Sequence, residues 1–293
     1  MTDRSNPRLG ILLMILVSLI FASQDGVSRH LAGDYSVVTI TTVRFWFFAL
    51  VTVAWSATRP GGLRAAARTA HPWLQVIRGV ILIVEIWITI ISFVRLGLIA
   101  THSIFAVYPL MVAALAGPVL GEYVGWRRMV AILIGLLGVI IILRPGFHVF
   151  DPNAIWPLIG ALLFAVYGLL TRRVAREDSA ETTFFYTGLV GAAVSTLAAP
   201  FFWTPIEGGA DMMWMALLCL MAVAGHFLLI KVYEVAEASV VQPFAYFQLV
   251  FIVLLGVFLF GEKPDLWTIG GGGVVLCAGL YTVLRRNRMR MAE

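Results

Sequence analysis

The sequence predicts an all-α integral membrane protein with ten transmembrane helices, arranged as two inverted five-helix repeats around a central cavity. The first observation is composition: hydrophobic residues make up 60% of the chain and charged residues 13%, against about 45–50% and 25% in soluble domains. The second is that apolar residues form continuous runs of roughly 18 or more, the length that crosses the hydrocarbon layer. The third is a pattern that occurs twice. A water-soluble fold of 293 residues could not bury this much apolar side chain.

Ten apolar runs are predicted to cross the membrane, and none of the turns between them is long enough to form a separate domain. The predicted spans cover residues 8–29, 36–57, 73–94, 101–120, 127–144, 154–172, 181–202, 213–234, 240–261 and 266–284. The turn after the fifth span contains Pro145-Gly146 and Asp151-Pro152, dipeptides that are typical of loops. We therefore expect two repeats, at residues 1–146 and 147–293.

The pattern that occurs twice is an apolar, proline-containing run that ends at Gly-Glu and is followed by a short turn and a glycine-studded span. Gly121-Glu122 and Gly261-Glu262 lie 140 positions apart. Because each half has an odd number of spans, the second half must cross the membrane in the opposite direction to the first. Inverted repeats are typical of secondary transporters, whose solute site lies near the middle of the membrane between the halves.

Lysine and arginine residues predict the orientation. Most of them fall on one side of the ten spans, including Arg127-Arg128 and Arg172-Arg173, and such an excess marks the cytoplasmic side. Both termini are therefore expected in the cytoplasm, with the protein in the inner (plasma) membrane. Arg4 and Arg8 precede a first apolar run without a convincing cleavage site, which favours an uncleaved first span over a signal peptide.

Several classes of function are disfavoured by the same residues. The net charge of +5 belongs to turns between spans and not to a basic face, so no nucleic-acid partner is expected. Cys219 and Cys277 have no spacing typical of a disulfide framework or a zinc site. The glycine-rich runs lack the lysine of a phosphate-binding loop, so ATP hydrolysis is unsupported. We expect no cofactor and no metal, and the partners to be the lipid bilayer and a small solute, with the chain a monomer or a homodimer.

The repeated motifs resemble those of a known family. The segment Tyr108-Pro109 that closes on Leu120-Gly121-Glu122, and the span ending Leu143-Arg144-Pro145-Gly146, resemble the EamA-type repeat of the drug/metabolite transporter superfamily. Arg44-Phe45 in the second span and Phe260-Gly261-Glu262 in the second half also fit this pattern. The resemblance covers nearly the whole chain and implies ten helices around a central cavity and export of small metabolites without ATP. In general similarity the chain looks closest to YddG-type exporters of aromatic amino acids.

The first span departs from that family pattern. Members often carry a Trp-Gly-Ser-like run followed by a lysine, whereas this chain has Ala22-Ser23-Gln24-Asp25-Gly26 and then Arg29. An acidic residue at this place favours a cationic or zwitterionic solute. The alternatives to amino-acid export are therefore export of cationic or nucleobase-like metabolites.

Ionisable groups within the spans are the first candidates for contact with a solute, because they are costly in a bilayer and normally face a cavity or a partner. Asp25, Arg44, Glu85 and His226 meet this criterion. Opposite charges at similar depth suggest Asp25–Arg44 or Arg44–Glu85 pairs, which would either hold helices together or contact a zwitterion. Glu85 and His226 are also candidates for proton coupling, since burial favours the neutral form of a carboxyl group.

Aromatic and amide side chains near polar residues or prolines complete the predicted site. Most aromatic residues are expected to pack or to face lipid, and a minority to line the cavity. The further candidate solute contacts are Gln24, Trp46, Trp87, Tyr108, Gln242, Tyr246 and Gln248. Pro109 and Pro243 interrupt two spans, as hinges or as static kinks. Together with Glu122 and Glu262, which are expected to be caps or gate contacts, they form the predicted hinge and gate.

The function that these features favour is a secondary transporter that works by alternating access. An intramembrane enzyme would need a cluster such as HExxH, and His102 and His226 have no such neighbours. A channel would usually need a ring of polar groups contributed by several subunits. A carrier is therefore the leading hypothesis, and no catalytic residue is assigned.

Overall fold

A computed structural model describes residues 6–121, 126–143, 152–274 and 276–278, and this part of the chain consists of helices and short connections. A single 3-10 turn, Pro152–Ala154, precedes the eighth helix. The helices are α1 (Pro7–Leu31), α2 (Val37–Ala57), α3 (Gly62–Ala67), α4 (Pro72–Leu96), α5 (Leu98–Phe105), α6 (Tyr108–Leu120), α7 (Trp126–Leu143), α8 (Ile155–Val174), α9 (Ala180–Phe202), α10 (Gly209–Val235), α11 (Ala238–Ala245), α12 (Phe247–Phe260) and α13 (Leu266–Ala278).

The all-α membrane fold is confirmed. Within the described residues, six helices are long and apolar enough to cross a membrane, and the α5–α6 segment, which bends by 41°, raises the number to seven. Two shorter apolar helices, Phe247–Phe260 and Leu266–Ala278, lie in the ninth and tenth predicted spans, and α7 lies in the fifth. Each of the ten predicted spans falls on one helix or on two consecutive helices, and α3 is a short addition in the turn after the second span.

Local sequence accounts for where several helices begin. The side chain of Asn6 accepts a hydrogen bond of 3.1 Å from the backbone N–H of Leu9. The hydroxyls of Ser36 and Ser179 do the same for α2 and α9. Such caps satisfy backbone donors that the first turn of a helix leaves free.

The fourth span is broken in both halves of the chain, at the same place. In the first half α5 ends at Phe105 and α6 begins at Tyr108, and in the second half α11 ends at Ala245 and α12 begins at Phe247. Both broken spans end in a glycine with left-handed backbone, Gly121 with φ 69° and Gly261 with φ 63°. Only glycine adopts this conformation without steric cost, which explains why the Gly-Glu pattern occurs twice.

Helix packing shows the inversion of the two halves. The most extensive helix contacts join α1 to α10, α2 to α9 and α4 to α8, so that each of the first three spans packs against one of the first three spans of the other half. The two broken spans also touch: α5 packs on α12, and α6 packs on α11. The first part of each broken span thus contacts the second part of the other, which means that they run in opposite directions.

Small residues allow the paired helices to approach closely. A Cβ atom at Gly225 of α10 would lie 2.6 Å from the ring of Phe21 on α1, and one at Gly191 of α9 would overlap the ring of Phe45 on α2. Glycine at a helix contact permits this approach in a membrane. The two contacts bring residues of opposite halves to the middle of the molecule.

One buried arginine joins three helices near the face on which the N-terminus lies. Arg78 of α4 is completely buried, with 0% exposure. Its Nε donates to Gln75 Oε1 at 2.8 Å and its Nη1 to Thr171 Oγ1 at 3.2 Å. Its Nη2 donates to the Thr183 carbonyl and to the Thr187 hydroxyl. These bonds connect α4 to α8 and α9 and give every nitrogen of the guanidinium a partner.

Candidate functional site

A cavity lies between the two halves, and helices of both contribute to it. Its free volume is about 50 Å³. The first half contributes residues of α1, α2, α4 and α5, and the second half residues of α8, α10 and α12. The polar residues that line it are Gln24, Asp25, Ser28, Arg44, Glu85, Thr89, His102, His226 and Gln248. Six of these nine were named from sequence as solute contacts or proton carriers.

Asp25 connects three helices at one side of the cavity. Its Oδ2 lies 3.2 Å from His102 Nε2 on α5 and accepts a hydrogen bond of 3.1 Å from Gln248 Nε2 on α12. Asp25 therefore joins the first span to both broken spans. His102 was noted in the sequence but not assigned to the site, because its depth in the fourth span gave no indication that it faces α1.

Glu85 and Arg44 line the cavity without forming the ion pairs that the sequence suggested. Glu85 Oε1 accepts a hydrogen bond of 2.8 Å from Thr89 on the same helix. Among the described residues, no carboxylate lies within 4.0 Å of the Arg44 guanidinium; its Nη2 instead lies 3.1 Å from His226 Nε2 on α10. The Asp25–Arg44 and Arg44–Glu85 pairs are thus wrong for this conformation. Position within the predicted spans placed the three residues at a similar depth in the membrane. It did not show in which direction each side chain points.

Several polar atoms of the cavity wall have no partner. Arg44 is 1% exposed and His226 is 2% exposed. Within the described part of the chain, five buried atoms of cavity-lining side chains lack a hydrogen bond: Arg44 Nε, His226 Nδ1, Gln24 Oε1, Ser28 Oγ and His102 Nε2, the last of which has only its contact with Asp25. Most buried polar groups in proteins are bonded to protein or to water, so this cluster of exceptions gives the cavity wall free capacity to bind water or a polar solute.

Phenylalanine rings form the apolar walls, and sequence reasoning missed them. Phe21 of α1 and Phe164 of α8 meet edge to face with ring centroids 6.4 Å apart. Phe105 lies 5.7 Å from Phe164, and Phe93 stacks on His102 at 5.2 Å. Phe21 and Phe164 each stand ten residues before the end of the first helix of their repeat. Alignment of the two repeats could have found this pair.

Two tyrosines lie in a smaller adjoining pocket. Tyr108 and Tyr246 line it together with His102, Pro109 and Gln248. Both tyrosines belong to the breaks in the fourth spans. Pro109 stands in the first turn of α6, where proline is well tolerated, so it begins a helix and does not kink one. Pro243 lies within α11; its side chain and that of Gln242 fall outside the described residues.

Two tryptophans named as solute contacts do not line the cavity. Trp46 is 47% exposed, and its Nε1 donates to Thr196 Oγ1 at 2.8 Å. Trp87 donates to Thr41 Oγ1 at 2.8 Å. Each stands two residues after a cavity residue, Arg44 or Glu85, and two residues turn a helix by roughly 200°. Side chains so placed point to the opposite side of the helix.

Glu262 forms a junction at the membrane face opposite the N-terminus. Its carboxylate accepts hydrogen bonds of 2.8 Å from the backbone N–H groups of Leu98 and Ile99, at the start of α5. It also forms an ion pair with Arg29 of α1, whose guanidinium lies 4.4 Å from the centroid of the Phe260 ring. Glu262 thus caps a helix of the first half from the second half. Its sequence counterpart Glu122 lies outside the described residues.

Comparison with known proteins agrees with this architecture. The model of the EamA-like transporter family matches residues 8–144 and 152–285. A relative named S-adenosylmethionine uptake transporter, from Rickettsia prowazekii (strain Madrid E), is 26% identical over 98% of this chain and 97% of its own length. A riboflavin transporter of Vibrio cholerae is 26% identical over 99% of this chain and 98% of its own.

One solved crystal structure is similar in fold. It has 16% sequence identity and a TM-score of 0.74, and the match covers 95% of this chain and 98% of that chain. The family model matches both halves of the chain and nearly all of its length. The protein is therefore a membrane transporter protein of the EamA-like transporter family.

Proposed function

We propose that this protein is a secondary transporter that moves small amphipathic metabolites by alternating access between repeats 1–146 and 147–293. The observation that carries the proposal is the cavity between the halves, which combines two carboxylates, one guanidinium and four phenylalanine rings. Sites for small molecules are typically apolar cavities with a few convergent polar groups. The N-terminal face is cytoplasmic in this proposal, in accordance with the distribution of arginine and lysine, and the membrane is the bacterial inner membrane.

The cavity volume favours a carrier over a channel. About 50 Å³ has room for a few water molecules, each of which needs about 10–15 Å³ of such space, whereas ligand pockets usually measure about 300–1,000 Å³. A solute therefore enters only after the helices separate. We assign the closure at the face opposite the N-terminus to Glu262, because its carboxylate joins α1, α5 and the end of α12.

The solute that fits best has a flat ring and a positive charge. Asp25 and Glu85 offer carboxylates, and the phenylalanines offer ring faces and edges. The relatives named above transport S-adenosylmethionine or riboflavin, both of which contain a flat heteroaromatic ring, and S-adenosylmethionine also carries a sulfonium cation. Aromatic amino acids are the second candidate class, favoured by the same rings. We assign net transport to a solute gradient or to proton exchange at Glu85.

Counterflow in proteoliposomes tests the proposal. Vesicles loaded with unlabelled S-adenosylmethionine, riboflavin or phenylalanine should accumulate the same labelled compound transiently, saturably and without ATP for at least one of the three. Single-channel currents in a planar bilayer, or uptake that never saturates, would contradict the carrier. If Glu85 exchanges protons, Glu85→Gln should remove the pH dependence of counterflow, and an unchanged pH profile would assign Glu85 a structural role.

A further inference from the structure

Two N–H groups of the cavity wall have no acceptor among the described residues. Arg44 of α2 and His226 of α10 both line it and both are buried. Within the described chain, Arg44 Nε and His226 Nδ1 have no hydrogen-bond partner. The two side chains approach each other through other atoms, with Arg44 Nη2 at 3.1 Å from His226 Nε2.

The contact between these two side chains fixes the role of each nitrogen. A guanidinium can only donate, so His226 Nε2 must accept, and a neutral imidazole that accepts at Nε2 carries its proton at Nδ1. Arg44 therefore holds His226 in the form that donates from Nδ1. The result is a pair of N–H groups from two helices of opposite halves, one of them positively charged.

The unpartnered acceptor lies on a different helix. Gln24 Oε1, on α1, is buried without a donor, and Asp25 follows it in the chain. N–H donors without acceptors thus belong to α2 and α10, whereas Gln24 Oε1 and the Ser28 hydroxyl, which are also unpartnered, belong to α1, where Gln24 adjoins a carboxylate. A carboxylate on the solute accepts a charge-assisted hydrogen bond from a guanidinium N–H and has a second oxygen for a neutral donor. An ammonium or similar cation satisfies the other side.

We propose that Arg44 and His226 form a carboxylate subsite, so that the solute carries a carboxylate close to a cationic group. The proposal rests on the proposed function and narrows it. S-adenosylmethionine and amino acids have this pair of groups, and riboflavin has no carboxylate. The subsite assigns His226 to solute binding and not to proton coupling, which was its predicted role.

Matched pairs of compounds test the subsite with the unmodified protein. Binding and counterflow are measured for S-adenosylmethionine and its decarboxylated form, and for phenylalanine and phenethylamine. Each pair differs by the carboxylate alone. The carboxylate form should bind at least ten-fold more tightly in at least one pair.

Equal affinity within both pairs would overturn the subsite even if counterflow remains saturable. Saturable transport of riboflavin alone would overturn the subsite while the carrier function stands. No saturable counterflow or binding with any of the compounds would overturn both proposals.

Two variants locate the preference. Arg44→Gln and His226→Leu should each reduce the preference for the carboxylate form, taken as the ratio of the two affinities within a pair, to less than about three-fold. Trp87→Phe is the matched control, because it removes a donor at similar depth outside the cavity, and it should retain the full preference. A preference that survives in both variants would overturn the assignment.

Discussion

Arg44 and Arg78 are both buried in the membrane region, but they differ in what surrounds them. Every nitrogen of Arg78 donates to a partner on α4, α8 or α9. Arg44 has one partner, His226, and its Nε has none within the described chain. Arg78 lies in packed protein, whereas Arg44 lines the cavity. Burial alone therefore does not distinguish a structural arginine from a functional one; the number of satisfied donors does.

The largest expected effect is the loss of stability when Arg78 is replaced. Arg78→Leu takes away the donor that Gln75, Thr171, Thr183 and Thr187 share, and loss of several buried hydrogen bonds of this kind costs about 3–5 kcal/mol. We expect little folded protein and a much lower midpoint of thermal unfolding, measured in detergent. Arg78→Lys retains the charge but loses the planar, forked donor group of the guanidinium. Its unfolding midpoint should lie between those of the unmodified protein and Arg78→Leu. Normal yield and stability of Arg78→Leu would refute the structural role.

Arg44→Leu should have the opposite signature. An unpaired buried donor costs about 1–3 kcal/mol, so removal of Arg44 should leave the unfolding midpoint unchanged or raise it. Saturable counterflow should nevertheless fall at least about ten-fold, since hydrogen bonds to a charged group contribute about 1.5–3 kcal/mol. The two measurements are made on the same preparation. A variant that is both unstable and inactive would remove the distinction between the two arginines.

The Glu262 carboxylate resembles Arg78 in having several hydrogen-bond partners, but all of these partners belong to the other half of the chain. A charged group with many partners can therefore also hold the two halves together. Glu262→Gln removes the charge that pairs with Arg29 and caps α5, a change of about 1–2 kcal/mol. The reporter is the thiol introduced by Ser28→Cys in a protein that lacks Cys219 and Cys277. We expect this thiol to react faster in Glu262→Gln than in the protein with Glu262 intact, when a membrane-impermeant thiol reagent is added at the face opposite the N-terminus.

The matched control for this experiment is Glu207→Gln, which changes an exposed acidic residue in the connection between α9 and α10 on the same face. The rate should rise about five- to thirty-fold for Glu262→Gln, which corresponds to the stated change in free energy at about 1.4 kcal/mol per ten-fold. Equal rates in the two variants would show that Glu262 does not hold the closed form.

The smallest effect is expected for Trp46→Phe. Trp46 stands two residues from Arg44 but lies on the other side of α2 and donates to Thr196. Loss of one exposed hydrogen bond costs about 0.5–1.5 kcal/mol, so counterflow should change less than about two-fold. A large loss of transport would mean that Trp46 reaches the solute in another conformation.

The sequence predicted the fold better than the site, for a physical reason. Hydropathy and the positions of Gly121 and Gly261 indicate the length of each span, its direction across the membrane and the internal repeat. These properties depend only on the order of residues along the chain. Asp25, Arg44, Glu85 and Gln248 were found because charged and amide groups within spans are rare. Which partner each takes depends on the rotation of the helices about their axes. The helical period alone could have excluded Trp46 and Trp87, given that Arg44 and Glu85 face the centre.

Other features needed the tertiary structure. Glu262 contacts Arg29 and the start of α5, and these contacts join residues at least 163 positions apart, so no local pattern indicates them. Phe21 and Phe164 are ordinary apolar residues of apolar helices, so only their packing identifies them as cavity walls. The roles of the named site residues in transport stay predictions that the experiments above address.

The antiparallel contact of the two broken spans has a consequence for the direction of transport. The two broken spans, α5–α6 and α11–α12, are interrupted at the same place and run in opposite directions. A bend at the break of one span therefore has a counterpart at the break of the other. In the proposed alternating-access cycle, the two breaks are then equivalent places for the helices to bend. If the proposed carrier is driven by the gradient of its solute alone, the concentrations on the two sides decide whether it imports or exports that solute.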